Sequence, residues 1–298
     1  MSGSTSRSTT TPSRTATAAA RARRPIIAQH DDRDGNTAGV RKHVVLIHGA
    51  WSRGRQLAGA RSAFEHHGYT VHTPTLRHHE LPLPDGAARI ATLSLRDYAD
   101  DLVELVASLD SAPLLVGHSL GGLLVQLVAA RTRHIGVVAA CPSPVGPVGL
   151  NRTTAGLSMR HALRPRPWTK PVAPPSWPRF RAGIAGAQSA GAAREMFDDL
   201  VCESGRVLFF ELALPWLDRS KVARVDYPAV TGPVLVLGGE YDRIVGSAIA
   251  RQTADRYRNG TYVEIPGSDH LVFSARVLPA TMARISEWIA HNHLFATA

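Results

Sequence analysis

Residues 113–131 read PLLVGHSLGGLLVQLVAAR. Pro113 to Gly117 is a short apolar run of the kind that forms a strand covered on both faces, and Leu120 to about Arg131 is an apolar helix. Between them stands Gly117-His118-Ser119-Leu120-Gly121, with Gly122 behind it. A chain that passes from strand to helix in so few residues makes a turn tight enough for flanking side chains to collide, which accounts for the glycines. By chance alone a Gly-x-Ser-x-Gly string occurs in roughly one chain in seven of this composition, so its weight comes from the strand before it and the helix after it. In that setting Ser119 is lifted out of the turn as a candidate nucleophile. The bland alternative is a glycine-rich turn that only packs a helix on a sheet.

Outward from this stretch the same alternation repeats. Strand candidates are His43 to Ile47, Tyr69 to His72, Ile135 to Ala140, Pro233 to Leu237 and Thr261 to Ile265. Leu95, Tyr98, Leu102, Leu105, Val106 and Leu109 recur at helical spacing behind a cap at Ser94, as do Leu278, Met282, Ile285 and Ile289 near the end. Strands alternating with helices predict an α/β fold with a mostly parallel sheet of about six or more strands, flanked by helices.

Two segments depart from the pattern. Residues 1–40 are Ser, Thr, Ala and Arg with almost no large apolar side chain, and cannot bury enough surface to offset their ordering entropy. They read as a disordered tail, although an Arg-rich, acid-poor start is also the composition of a transit peptide or a loose polyanion contact. The folded domain is expected over 41–298. Within it, about 141–225 is expected to form an inserted helical and loop cap: 141–187 is rich in Pro, Gly and Arg without periodicity, and helical character returns from about Ser189 to Leu214.

Of the 298 residues, 44% are hydrophobic and 19% charged, which excludes wholesale disorder. The net charge of +10 is uneven. Residues 1–30 hold five Arg and no acid, and 152–181 hold six Arg, one Lys and no acid, so the remainder is nearly neutral. A specific nucleic-acid binder would need the charge on its folded body. No apolar run approaches the about 18 residues needed to span a bilayer, and no secretory signal opens the chain. Cys141 and Cys202 are too few for a disulfide framework and stand in no zinc-site spacing, so a reducing cytoplasm is the expected compartment.

A serine hydroxyl needs a base, and the base needs a carboxylate to hold its tautomer. Two late strands supply both. One runs into Gly238-Gly239-Glu240-Tyr241-Asp242 and the next into Pro266-Gly267-Ser268-Asp269-His270. Glu240 and Asp242 both stand as candidates for the acid, and Asp269 reads as a solvated loop residue. His66, His67, His72, His78 and His79 match no metal-ligand spacing and read as surface helix and loop. Glu203 and Glu211, in the cap's second half, either approach the pocket or face water.

With Ser119, Asp242 and His270 in this order, each just past a strand end, residues 42–293 resemble the α/β-hydrolase superfamily. His48-Gly49-Ala50-Trp51 after the first strand resembles its His-Gly oxyanion loop. The resemblance implies a Ser119, His270 and Asp242 triad, and an oxyanion hole from the amides of Ala50 and Leu120. Trp51 and His118, on the same two loops, are candidate substrate-binding residues. It also implies a serine hydrolase cleaving a small-molecule or lipid-like ester through an acyl-enzyme, without cofactor or metal. A cofactor-free lyase, an acyltransferase or a non-catalytic binding module on the same fold stay open. Two departures stand out: many relatives carry further strands before the His-Gly loop, and Ser52-Arg53-Gly54-Arg55-Gln56 replaces the usual glycines and tryptophan, which predicts a more polar acyl pocket. The basic cap around Trp168 and Trp177 suggests an anionic ester or attraction to anionic lipid.

Overall fold

The computed structural model describes Met1, residues 41–146 and residues 151–295. The expected tail, apart from Met1, lies outside the described residues. Along the chain, β1 (His43–Ile47), α1 (Ala58–His66), β2 (Thr70–His72), α2 (Leu83–Ile90), α3 (Leu95–Ala107), β3 (Leu114–His118), α4 (Leu120–Ala129) and β4 (Gly136–Ala140) come first. The cap follows with α5 (Arg152–Ala162), β5 (Pro171–Val172), α6 (Trp177–Gly183), α7 (Ala190–Asp198), β6 (Glu203–Ser204) and a π-helical turn over Arg206–Leu212. Then β7 (Val234–Gly239), α8 (Ser247–Ala254), β8 (Gly260–Ile265) and α9 (Leu278–His291) complete the body.

The six body strands form one parallel sheet in the order β2-β1-β3-β4-β7-β8. The consecutive apolar residues of the four central strands serve two layers. Val45, Ile47, Leu115 and Val137 pack with α3, α4 and α8 on one face, while Val44, Leu46, Leu114 and Val138 pack with Phe64 of α1 and Ile285 and Trp288 of α9 on the other. Strand order reverses between β1 and β3, and in an open parallel sheet the crevice at such a reversal lies beyond the carboxyl ends of the strands. Both loops singled out from the sequence, after β1 and after β3, open there. The cap at Ser94 is present: its Oγ accepts from the Arg96 amide at 3.1 Å and Asp97 accepts from the Ser94 amide at 2.9 Å.

The cap is more regular than its sequence suggests. The stretch expected as aperiodic contains α5 and α6; Pro178 is tolerated because it falls in the first turn of α6, where a missing amide costs no helical hydrogen bond. Conversely, the helix expected over Ser189 to Leu214 is interrupted by β6, which pairs antiparallel with β5 through Pro171↔Ser204 and Val172↔Glu203. Among the described residues no helix is long and apolar enough to cross a membrane.

Candidate active site

Ser119 sits at φ 54°, ψ −115°, a left-handed conformation that costs a non-glycine residue about 1–3 kcal/mol. The surrounding contacts enforce it. A Cβ on Gly117 would run into the carbonyl of Gly121, and one on Gly121 into the carbonyls of Ile47 and His48, so the end of α4 is pressed against the end of β1. The Ser119 amide donates to the Ala140 carbonyl at 2.9 Å, and its own carbonyl accepts from the Ser143 amide at 3.0 Å.

Asp242 and His270, on the loops after β7 and β8, meet: His270 Nδ1 lies 2.8 Å from Asp242 Oδ2. The other carboxylate oxygen accepts from the amides of Ile244 at 2.7 Å and Val245 at 3.0 Å. Burial works to raise the Asp242 pKa, but the His270 charge and these donors more than reverse it and hold the carboxyl below its usual range. Glu240 lies outside this pair and accepts from the Gly267 amide.

His118 donates from Nε2 to the His270 carbonyl at 2.7 Å, with ring centroids 4.9 Å apart. Burial first, and then the His270 charge, lower its pKa to about 3, so its ring is neutral. Cys141, at the carboxyl end of β4, was not singled out from the sequence as a site residue. Its thiol hydrogen-bonds Asp242, and burial followed by the Asp242 charge pushes its pKa well up. Cys141, Asp242 and His270 offer metal-ligand atoms within 4.8 Å of one another, yet a thiol held protonated suits a donor better than a ligand. Its position just past a strand end is the signal that could have found it.

His48 is neutral as well, with its pKa lowered to about 3, chiefly by burial and then by His79. The Leu76 amide donates to its Nε2 at 3.0 Å, which leaves the proton on Nδ1, facing the Gly49 carbonyl at 2.8 Å. Trp51, at φ 59°, joins this loop to the cap: its indole donates to the Val172 carbonyl at 3.2 Å and its carbonyl accepts from the Val201 amide at 2.8 Å.

Ala50, Trp51, His118, Ser119 and His270 line one cavity, roofed by Leu157, Phe180, Ile184, Met196 and Leu200 of the cap. Leu120 is not among the lining residues; its side chain is in the core and it stands at the first position of α4. None of the seven cationic residues of 152–181 lines the cavity. The expected polar pocket is also corrected. Ser52 and Gln56 do line it but hydrogen-bond each other at 2.6 Å, while Arg53 and Arg55 turn away to Asp199.

Several polar residues differ from expectation. His79, expected on the surface, is fully buried, with Nε2 3.1 Å from Glu203 Oε2. Asp269, expected in solvent, is buried as well. Glu203 and Glu211 neither line the pocket nor face water. Glu203 also accepts from the Tyr98 hydroxyl at 2.9 Å, and Glu211 accepts from the Ser94 hydroxyl at 2.6 Å and the Leu95 amide at 2.7 Å.

Residues 44–279 match the alpha/beta hydrolase family. The chain belongs to this family. A stretch of 86 residues is 30% identical to the pyrethroid hydrolase of Sphingobium wenxiniae, covering 29% of this chain and 30% of that protein, so the match spans less than a third of that relative. Among solved structures, the monoacylglycerol lipase of Paleococcus ferrophilus is similar at TM-score 0.62 and 20% identity, over 84% of this alpha/beta hydrolase and 94% of the lipase. A methylesterase from Arabidopsis gives TM-score 0.63 and 16% identity, over 83% and 98%. At these identities the two structures speak for the fold.

Proposed function

We propose that this alpha/beta hydrolase cleaves esters with Ser119 as nucleophile. The observation that carries the reading is the 2.8 Å contact of His270 with Asp242, on a ring that lines the same cavity as Ser119. With its Nδ1 proton donated to Asp242, His270 keeps a free electron pair on Nε2. It takes the Ser119 proton as Oγ bonds to the carbonyl carbon, then returns it to the alkoxide as the ester C–O bond breaks. Water repeats the sequence and frees the acid. The amides of Ala50 and Leu120 hold the developing oxyanion; that of Leu120, at the first position of α4, has no partner within its own helix. The apolar roof favours a neutral acyl group, and the cationic residues lie outside the cavity lining, which weighs against the anionic ester suggested by composition.

The test is fluorophosphonate labelling with peptide mapping, beside a panel of short- and long-chain nitrophenyl esters. A pyrethroid belongs in the panel because the curated relative is a pyrethroid hydrolase. Labelling at Ser119 with ester turnover, both lost in Ser119→Ala, is the expected result. A folded but unlabelled protein, or an active Ser119→Ala, would overturn it, and product analysis separates hydrolysis from lyase or acyl-transfer chemistry. A second contact has its own observation: Leu163 and Trp168 are exposed among Arg164, Arg166 and Lys170, a surface suited to anionic lipid. Salt-sensitive co-sedimentation with anionic vesicles tests it.

A further inference from the structure

Asp269 precedes His270 and is 2% exposed, and among the described residues the hydrogen-bond donors on its carboxylate are uncharged N–H groups. Oδ1 accepts from the Leu271 amide at 3.0 Å, bracing the backbone across His270. Two further donors come from the cap: the Ala187 amide at 2.8 Å to Oδ2 and Gln188 Nε2 at 2.9 Å to Oδ1. A buried carboxylate costs several kcal/mol unless its lone pairs are met, so the bonds hold the two segments together. The Asp269 carbonyl is pressed against Gly239 at the end of β7, where a Cβ would collide with it. The cap side is equally fixed, since Arg181 donates to the Gln188 carbonyl at 3.0 Å and the turn follows α6 and Ile184, whose residues Phe180 and Ile184 roof the cavity.

We propose that Asp269 is a positioning residue that ties the His270 backbone to the cap, so that seating of the cap over a substrate sets the orientation of the imidazole. This rests on the ester-hydrolase reading for its kinetic consequence, but not for its geometry. Asp269→Asn keeps the size and places an amide NH2 against one of three N–H donors. Gln188→Ala removes a single cap donor and leaves Asp269, His270 and the cavity lining in place.

Wild type, Asp269→Asn and Gln188→Ala are compared as full-length protein, for thermal unfolding, kcat and KM on a nitrophenyl ester, and the low-field proton NMR signal of the His270 Nδ1–H bonded to Asp242. Misplacement of a reacting group by an ångström costs about 100-fold in rate. The expected result is a kcat lower by about 100-fold in Asp269→Asn and about 10-fold in Gln188→Ala, with KM within about twofold and the low-field signal shifted or broadened in both. An unchanged signal and kcat in folded Gln188→Ala would overturn the proposal, as would a rise in KM alone. If wild type neither labels nor turns over, the ester reading fails, and the NMR signal still decides whether Asp269 holds His270.

Discussion

In the sheet, neighbouring residues such as Val44 and Val45 disappear into two apolar layers, and any aliphatic side chain of similar size would serve. The second half of the cap is tied to the same body by Glu203, on His79 and Tyr98, and by Glu211, on Ser94 and the first amide of α3. Apolar burial is non-directional and summed over many contacts, whereas each buried carboxylate accepts one arrangement of donors. The sheet is therefore tolerant and collectively stable. The cap also buries Val207 and Leu212 in the body's core, but a handful of directional bonds select its one position.

Substitutions graded by expected effect sharpen that contrast. Gly121→Val drives side-chain atoms into the carbonyls of Ile47, the last residue of β1, and of His48 just beyond it. Its cost should exceed the whole net stability of about 5–15 kcal/mol and leave no cooperative thermal transition. Glu203→Ala strands His79 and the Tyr98 hydroxyl in the interior and should cost about 3–5 kcal/mol in urea unfolding, with the cap detaching before the sheet melts. A loss below about 1 kcal/mol would mean the cap is held by area after all.

Acid probes the same bonds. Burial works to raise the Glu203 pKa, but the His79 charge and the hydrogen bonds around it hold the carboxyl below its ordinary 4.5. Its stabilisation is thus fully present above about 4.5 and is lost as pH falls through the depressed folded value. Tm should fall below that pH, and Glu203→Gln should flatten the fall; Asp242, also depressed from 3.8, contributes with the same sign. The smallest effect is expected from Arg55→Ala. The Arg55 side chain is 67% exposed and Arg53 remains on Asp199 at 2.8 Å, so the loss should stay under about 1 kcal/mol and shrink further in salt.

Ser119 and Asp242 could be singled out as candidates because each follows a strand of consecutive apolar residues and stands near glycines, whereas His270 follows the mixed strand Thr261 to Ile265 and was picked out by its place on the loop beyond it. The sheet was legible for the same reason, with strand ends within about two residues. His79, Asp269, Glu203 and Glu211 were not. A polar side chain is buried only when its partner is, and His79 and Glu203 are separated by 124 positions, so nothing local distinguishes them from surface residues. The regular cap was missed where Pro178 in the first turn of α6 and the prolines before it mimicked a loop, and where β6 cut an otherwise helical pattern.

The left-handed shape of Ser119 has a consequence for the chain while it is being made. That backbone depends on β1, β3, β4 and α4 being in contact, because the Ser119 amide is held on the Ala140 carbonyl and Gly121, two residues on, is pressed against the carbonyls of Ile47 and His48. A nascent or half-folded chain therefore carries at position 119 an ordinary relaxed serine, no more exposed to passing acyl donors than Ser108 or Ser111. Under the proposed ester-hydrolase reading, reactivity at this position requires the assembled turn, so the fold itself would work as a safety catch during synthesis.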